Sequence, residues 1–353
     1  GVNGVLPLIL GLKSFGIKNI FVPTVNAQEA GLAGDVNIYG ANSLAEVVNH
    51  FSDNPIKPTV IDINSYLAES SKQDYVYDFK DVKGQQKAKR ALEISAAGGH
   101  NMLMIGSPGS GKTLMAKCFA SILPPLELSE ALELTKIYSI SGLLSSQEPL
   151  MTKRPFRAVH HTASANGIIG GGTIPKPGEI TLAHRGVLFL DEMVEFPRNV
   201  LEVLRQPLED GEIVISRAKH SIKYPAKFML LGAMNPCPCG YLGDKQKQTT
   251  ETSEDIRKRV IKARKIQAER YKNDGILTNS ELTSKLIRKY CQIDKASAEL
   301  LKMAVVKYQL SGRRYDRVLK LARTIADLDN SENIQQTHLM QALQYRMFNS
   351  LSN

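Results

Sequence analysis

Residues 106–113 read Gly-Ser-Pro-Gly-Ser-Gly-Lys-Thr, and this stretch decides the fold. It fits the pattern G-x-x-x-x-G-K-[ST], in which a glycine-rich loop turns its backbone N–H groups around phosphate. The apolar run Met102–Ile105 before it has strand character, and Leu114–Leu123 after it has helix character. Because strand, loop and helix stand in the required order, we predict a phosphate-binding loop rather than a chance glycine-rich turn.

The residue types of this loop indicate ATP and Mg²⁺ as its ligands. Lys112 is expected to reach the β and γ oxygens of ATP, and Thr113 to bind Mg²⁺. The N-terminus of the following helix adds its dipole. The predicted nucleotide contacts in the loop and the first helical turn are Ser107, Pro108, Gly109, Ser110, Gly111, Lys112, Thr113 and Leu114.

A second apolar strand ends in two carboxylates, in the run Gly-Val-Leu-Phe-Leu-Asp-Glu at 186–192. We predict that Asp191 holds Mg²⁺ and that Glu192 polarises the attacking water as general base. An acidic pair at a strand end is otherwise a solvated turn, and the upstream loop lysine favours the catalytic interpretation.

A third apolar strand, Phe228–Ala233, ends at Met-Asn-Pro. The amide of Asn235 is expected to orient the water beside the other strand ends. The alternative is an asparagine that only forms the turn before Pro236.

The composition is that of a globular chain. Its 353 residues, with 42% hydrophobic and 23% charged side chains, predict two or three domains. No apolar run approaches the ~20 residues of a membrane span. Four cysteines in a chain of this length do not suggest a disulfide framework, so we expect the reducing cytoplasm. The chain has no leader pattern and opens without methionine, so we expect its natural N-terminus further upstream.

Most of the net charge of +10 lies in residues 251–320, which hold 18 Lys or Arg against 9 Asp or Glu. A basic face attracts the phosphate backbone of nucleic acid. The alternative is a solvated helix face, because the charges of one run follow helical spacing: Arg257, Lys258, Arg259, Lys262, Arg264 and Lys265.

Pattern changes along the chain divide it into four segments. Residues 1–52 form an α/β fragment, and 53–75 are polar and proline-containing, as in a linker. Residues 76–250 alternate strands and helices, which predicts a parallel sheet with crossover helices. Residues 251–353 read as a helical lid.

Further runs, taken with these motifs, resemble a known family over nearly the whole chain. They are Arg154-Pro155-Phe156-Arg157, His160-His161-Thr162, Gly170-Gly171-Gly172, Pro177-Gly178-Glu179-Ile180, Leu182-Ala183-His184 and Met234-Asn235-Pro236-Cys237-Pro238-Cys239-Gly240. The chain resembles the magnesium-chelatase-like AAA+ proteins of the ComM/YifB competence type.

The resemblance implies roles that spacing alone does not. Val82, Gly84 and Gln85 match the segment beside the adenine of ATP, and Asn235 matches the sensor 1 position. Arg313 matches the sensor 2 region and is the candidate for the γ-phosphate, unless it is one more basic residue of its helix. Residues 212–223 match a hairpin that faces the pore in related rings, where Lys219, His220 and Lys223 either contact nucleic acid or form a solvated tip.

Residues 1–52 resemble the end of a Lon-protease-like (ribosomal S5 domain 2-like) domain. Leu8 stands where such proteases carry a catalytic lysine, and without an amine no serine nucleophile is activated. We therefore expect no peptidase activity.

The chain departs from the family pattern between Tyr241 and Thr250, where the segment with the arginine finger is expected and is missing from this sequence. Cys237 and Cys239 supply only half of a tetrahedral zinc site. His160 and His161 are adjacent and on a strand would point oppositely, so a structural role is expected for them rather than a shared metal.

Taken together, the residues predict an ATP hydrolase, and the resemblance implies a homohexameric, ATP-driven DNA motor for branch migration in natural transformation. A chaperone-like ATPase that remodels a protein partner, as chelatase subunits do, is the alternative.

Overall fold

The computed structural model describes residues 1–52, 54–63, 65–66, 75–145, 147–171, 176–217, 220–235 and 251–346. The chain divides into two compact units, the first built from Gly1–Asp74 with Pro125–Phe228 and the second from Tyr75–Pro124 with Met229–Asn353. The predicted domain boundaries stay a prediction.

The strands of the described residues are short, two to six residues each. In chain order they are β1 Asn19–Pro23, β2 Asn37–Ala41, β3 Met102–Ile105, β4 Phe156–Val159, β5 Gly170–Gly171, β6 Lys176–Pro177, β7 Val187–Leu190, β8 Glu212–Arg217, β9 His220–Pro225 and β10 Met229–Met234.

The helices occupy both units and make up most of the chain after residue 251. They are α1 Val5–Ser14, α2 Ala27–Gly31, α3 Leu44–His50, α4 Gln86–Gly98, α5 Lys112–Phe119, α6 Leu128–Ser141, α7 Ala165–Ile169, α8 Glu179–Leu182, α9 Arg198–Val203, α10 Arg205–Asp210, α11 Ser253–Arg270, α12 Ser284–Tyr290, α13 Lys295–Tyr308, α14 Gly312–Leu328 and α15 Gln336–Arg346.

In the first unit, the N-terminal residues pack onto helix α6. Strands β1 and β2 pair in parallel, and Leu6 of α1 shares a core with Leu134 of α6. The buried carboxylate of Glu29 accepts hydrogen bonds from the Leu6 backbone N–H at 2.9 Å and from the Ser139 hydroxyl. The N-terminal fragment is thus anchored to a helix that belongs to the long stretch between the phosphate loop and the acidic strand.

Strands β4 and β7 form the other parallel pair of the first unit, in register from Phe156↔Val187 to Val159↔Leu190. The pair starts at a close backbone approach, because a Cβ at Gly186 would overlap the carbonyl oxygen of Pro155. Only glycine fits there, and the Val187 N–H donates to that same carbonyl at 2.8 Å. The pairing register of β7 with β4 is therefore set by Gly186, the residue directly before β7.

In the second unit, β3 and β10 pair in parallel from Met102↔Leu231 to Ile105↔Met234. Helices α4 and α5 flank β3, and helices α11 to α15 form the C-terminal part. Parallel strands with helices in each unit, and a helical C-terminal part, confirm the predicted mixed α/β class. The likeness of residues 1–52 to a Lon-protease-like domain stays a prediction.

A buried carboxylate joins the helices of the C-terminal part. Asp327 on α14 has a fully buried side chain and accepts hydrogen bonds from the guanidinium groups of Arg270 (2.5 and 2.9 Å) and Arg323 (3.1 Å). The amide of Asn279 donates to it at 2.8 Å. A buried charge with this many partners is satisfied, and removing it leaves buried cations unpaired.

Replacing Asp327 therefore tests what holds these helices together. We expect Asp327→Ala to lower the free energy of unfolding by about 3–5 kcal/mol, because two arginines lose their shared partner. The control is Asp329→Ala, whose half-exposed carboxylate pairs with Arg90 and which should cost below about 1 kcal/mol. Urea unfolding followed by circular dichroism measures both, and equal losses would contradict this account.

Candidate nucleotide-binding site

The phosphate loop leaves the carboxyl end of β3 and enters α5 at Lys112. The Gly106 N–H donates to the carbonyl oxygen of Met234 at 3.3 Å, so the loop begins against the last residue of β10. Two loop glycines have left-handed backbone angles, Gly109 with φ 73° and Gly111 with φ 83°. Glycine adopts this conformation at little cost, which explains its use at these two positions.

The Lys112 side chain folds back onto its own loop. Its ammonium donates to the carbonyl oxygens of Gly106 (2.7 Å) and Ser107 (2.8 Å) and to the amide oxygen of Asn235 (2.9 Å). The ammonium also lies 3.4 Å from the hydroxyl oxygen of Ser110. The structure thus brings two of the predicted catalytic residues together, and it holds a cation where a phosphate would arrive.

The segment predicted to lie beside the adenine is held by the turn that precedes it and by helix α4, which follows it. Val82 is buried, and Gly84 and Gln85 take left-handed backbone angles of 68° and 56° before α4 begins. The ammonium of Lys89 donates to the Phe79 carbonyl at 2.9 Å, and burial lowers its pKa from the ordinary value of lysine.

The first residue of α11, Ser253, forms two further hydrogen bonds with the residues that precede this segment. The Ser253 hydroxyl accepts from the Phe79 N–H at 2.7 Å, and the Ser253 N–H donates to Asp78 at 3.0 Å. Helix α11 therefore contacts the turn that leads into the predicted adenine segment.

In the first unit, the acidic residues follow a fully buried strand. All four residues of β7 are buried, Asp191 comes next, and the carboxylate of Glu192 is 55% exposed. The Glu192 N–H donates to Asp191 Oδ1 at 3.0 Å. The backbone of Glu192 has φ 50°, an unfavourable angle for a residue with a side chain, which surrounding structure must maintain.

Two histidines lie at the same edge, because β4 runs parallel to β7 and ends beside it. His161 Nδ1 is 3.7 Å from Glu192 Oε2, and the rings of His160 and His161 lie 4.1 Å apart at 33°. The expectation of opposite directions was wrong, since both residues come after the last residue of β4 and no longer follow strand geometry. The sequence shows only that the two histidines follow the run Arg-Pro-Phe-Arg-Ala-Val and that the acidic pair follows an apolar run; the contact itself depends on the parallel pairing of β4 with β7.

A neutral histidine helps to position β7. Burial lowers the pKa of His184, and its Nδ1 accepts from the Lys227 N–H at 3.1 Å, so the hydrogen is on Nε2. Nε2 then donates to Glu133 at 3.2 Å. This hydrogen bond, helped by Arg185 and opposed by burial, lowers the pKa of Glu133 to about 2. His184 is thus structural, as are two arginines of the Arg-Pro-Phe-Arg run: Arg154 pairs with Glu130, and Arg157 pairs with Glu179.

Comparison with known proteins shows the family to which this chain belongs. Magnesium chelatase, subunit ChlI, matches residues 78–270, and its C-terminal family matches residues 250–346. Competence protein ComM of Haemophilus influenzae is 40% identical over 98% of this chain and 75% of its own length. The uncharacterized protein YifB of Salmonella typhimurium is 38% identical over 95% of this chain and 72% of its own length. The chain belongs to the ComM/YifB-type magnesium-chelatase-like family.

Family membership confirms the resemblance and makes the chain an AAA+ ATPase, with the use of nucleotide and Mg²⁺ that this implies. The alignment with the ComM protein spans 388 positions, more than the 353 residues of this chain, so that relative carries residues with no counterpart here. The predicted gap at 241–250, Lys219, and Cys237 with Cys239 lie outside the described residues.

Two other predicted residues of this ComM/YifB-type chain, Arg313 and Thr113, lie in the first turns of helices. Arg313 is exposed in the first turn of α14, which Ser311 precedes, and it forms no ion pair within the described ranges. Thr113 is exposed in the first turn of α5. The roles of Arg313, Thr113 and Asp191 stay predictions.

The basic helix α11 is not a uniform solvated face. Arg259 binds the buried Glu93 and also Glu251, Arg264 donates to the Ala96 carbonyl at 2.8 Å, and Arg270 binds Asp327. Three of its arginines are therefore structural anchors. Its lysines, by contrast, are exposed, including Lys262 and Lys265.

No helix among the described residues is both long and apolar enough for a membrane crossing. Within the same residues, no group of three or more His, Cys, Asp or Glu side chains is arranged to hold a metal ion.

The contact between Lys112 and Asn235 predicts that replacing Asn235 affects nucleotide binding and ATP turnover differently. We expect Asn235→Ala to bind ADP at least as tightly as the wild type, up to about tenfold tighter, because the ammonium loses one competing acceptor. ATP turnover should fall about tenfold or more if Asn235 orients the water. Titration with a fluorescent ADP and a phosphate-release assay measure the two effects.

The matched control is Asn101→Ala, at the opposite end of the same strand pair, where Asn101 Oδ1 accepts from the Leu230 N–H at 2.8 Å. This variant should change neither quantity. Weaker ADP binding by Asn235→Ala alone would show that the ligand-free contact does not compete with nucleotide.

Proposed function

We propose that this protein is a ring-forming ATPase that hydrolyses ATP with Mg²⁺ and uses the energy to move along DNA. The ATPase part is carried by one observation: the Lys112 ammonium is held at 2.7–2.9 Å by two loop carbonyls and by Asn235. A lysine in this position, at the N-terminus of a helix, exchanges such acceptors for phosphate oxygens.

The proposed roles follow from the donor and acceptor types. The Thr113 hydroxyl and the Asp191 carboxylate are oxygen ligands of the kind that Mg²⁺ prefers. When bound, Mg²⁺ neutralises charge on the β and γ phosphates. Glu192 accepts the proton of the attacking water, and Asn235 orients that water. The remaining proposed contacts are Arg313 with the γ-phosphate and Val82, Gly84 and Gln85 with the base.

Two substitutions separate binding from chemistry. Lys112→Ala should weaken ATP binding by about a hundredfold or more, because hydrogen bonds from a charged donor are lost. Glu192→Gln should leave binding unchanged and reduce turnover by about 10²–10⁴-fold, because only the proton acceptor is removed. Equilibrium binding of ATP and steady-state phosphate release measure these effects. Near wild-type turnover in Glu192→Gln would disprove the assignment of the base.

A homohexamer is part of the proposal and rests on the AAA+ family, in which the nucleotide lies between subunits. Cytoplasmic location is likewise proposed, and the two described cysteines support it, since Cys118 and Cys291 are free and buried. Burial raises the pKa of Cys118 to about 11 and that of Cys291 to about 12, so both are unreactive thiols.

DNA as the track is supported by charge and by the name of the ComM relative, a competence protein. Three arginines of α11 are engaged internally, so the candidate cations for phosphates include the exposed Lys262 and Lys265, together with Arg313, Arg314 and Arg317. Contacts of this kind displace counterions from the phosphate backbone and carry little sequence preference.

DNA binding should therefore depend steeply on salt. Raising salt from about 50 to about 200 mM should cost the wild type on the order of a hundredfold in affinity. Lys262→Glu with Lys265→Glu should weaken binding about tenfold or more and reduce the salt slope by roughly two. Fluorescence anisotropy with single-stranded, duplex and branched DNA measures both.

The control makes the same change of net charge in the first unit, at the exposed Lys18 and Lys57. It should alter affinity only slightly. If the wild type binds no form of DNA at low salt with ATP present, the DNA-motor proposal fails.

The alternative is an ATPase that remodels a protein partner. It is favoured by the likeness to the magnesium-chelatase 38 kDa subunit of Rhodobacter capsulatus, which is 26% identical over 48% of this chain and 53% of its own length. ATP turnover that DNA does not stimulate would support it. A protease is disfavoured, because Leu8 on α1 is an exposed aliphatic side chain that cannot activate a nucleophile.

A further inference from the structure

The residues proposed to contact the base of ATP need a restraint from outside their own segment. Gly84 and Gln85 have left-handed backbone angles, and at Gln85 such an angle is unfavourable because the residue has a side chain. Backbone of this kind persists only where the surrounding structure maintains it. The contacts that hold this segment are therefore candidates for positioning the base.

Lys89 on α4 contacts both ends of the segment that runs from Phe79 to Gln85. Its backbone N–H donates to the Gln85 carbonyl oxygen at 2.9 Å, and its ammonium donates to the Phe79 carbonyl oxygen at 2.9 Å. Lys89 is only 1% exposed. Because lysine is seldom fully buried unless its charge has a partner, this position indicates a specific use of the ammonium.

Ser253 holds the other side of Phe79. Its hydroxyl accepts from the Phe79 N–H at 2.7 Å, so both backbone polar groups of Phe79 are bonded to side chains, and the Phe79 ring is fully buried. The Ser253 N–H donates at 3.0 Å to the Asp78 carboxylate, which also accepts from the Lys80 N–H at 2.8 Å. The residue at which the segment begins is thus fixed by α4 and α11 together.

We infer that Lys89 and Ser253 are positioning residues for the base of ATP. This inference rests on the proposed ATPase function and on the base contacts proposed within 82–85. Lys89 and Ser253 hold the backbone of that segment and do not themselves contact the nucleotide. Because Ser253 opens α11, the C-terminal helices take part in base recognition, whereas Lys112 and its loop serve the phosphates.

Inorganic tripolyphosphate separates this role from a general loss of structure. It carries three linked phosphates as ATP does, but it has neither base nor ribose. If Lys89 and Ser253 position the segment beside the base, their replacement weakens the binding of ATP and leaves that of tripolyphosphate unchanged. A general loss of structure weakens the binding of both ligands alike.

Two substitutions remove the two contacts to Phe79. Lys89→Met keeps most of the buried side-chain volume but has no donor, and we expect it to weaken ATP binding about tenfold or more, because a hydrogen bond from a charged donor is lost. Ser253→Ala should weaken ATP binding about threefold to tenfold, because a neutral hydrogen bond is lost. Isothermal titration calorimetry with Mg²⁺ present measures ATP and tripolyphosphate on the full chain.

Lys320 supplies the matched control. Its ammonium also donates to a backbone carbonyl, that of Ser280 at 2.8 Å, and burial lowers its pKa as it does for Lys89. Lys320→Met removes the same kind of bond in the same unit, at a residue outside the proposed nucleotide contacts. It should change the affinity for either ligand less than about twofold.

Steady-state kinetics supply a second readout. In Lys89→Met the KM for ATP should rise about tenfold while kcat stays within about threefold of the wild type, because the groups at the phosphates are unchanged. If Lys89→Met does not fold, Ser253→Ala decides by the same criteria.

Unchanged ATP affinity in the folded variants, or equal losses for ATP and tripolyphosphate, would overturn the inference and leave the proposed function standing. A wild type that binds neither ATP nor ADP would contradict the proposed function, and the inference with it.

Discussion

Parallel strand pairing is the constraint on which the candidate functional residues of each unit depend. In a parallel pair the two carboxyl ends lie at one edge, so residues that follow different strands become neighbours. In the second unit this brings the loop after β3 to Asn235 after β10 and allows the 2.9 Å contact with Lys112. In the first unit it brings His161 to Glu192. A slip of one residue in either register would turn the strand side chains to opposite faces.

The turns that follow the strands place the candidate site residues by means of left-handed backbone conformations, which cost free energy for most residues. Gly109 and Gly111 take left-handed angles at little cost, whereas Glu192 takes one at a cost of about 1–3 kcal/mol. The cost is tolerated because β7 is wholly buried and its start is locked by Gly186 against Pro155. The backbone conformation of the acidic turn is therefore maintained by the buried strand that precedes it and not by the conformational preference of Glu192.

The basic side chains of this protein have two different roles, which a count of charged residues does not distinguish. Three arginines of α11, Arg259, Arg264 and Arg270, hold carboxylates and a carbonyl, while its lysines face solvent. Arginine suits the first use because its planar fork makes paired hydrogen bonds, and lysine suits the second because its ammonium is strongly hydrated. The basic segment is thus partly a framework that joins α11 to α4 and α14, and exposed side chains such as its lysines and the arginines at the start of α14 are available to an external polyanion.

The sequence by itself determined the phosphate loop, the acidic strand and the family, because these features are local: a glycine pattern and apolar runs have the same meaning in any surroundings. It also predicted β3 at its observed bounds and an apolar strand that ends directly before Asp191. Only the tertiary structure decided that His161 meets Glu192, that Asn235 binds Lys112 and that Arg259 and Arg264 turn inward. Those outcomes depend on strand register and on which helix packs against which, and such contacts join residues that are 31 to 168 positions apart in the chain. No local pattern encodes a pairing over that distance.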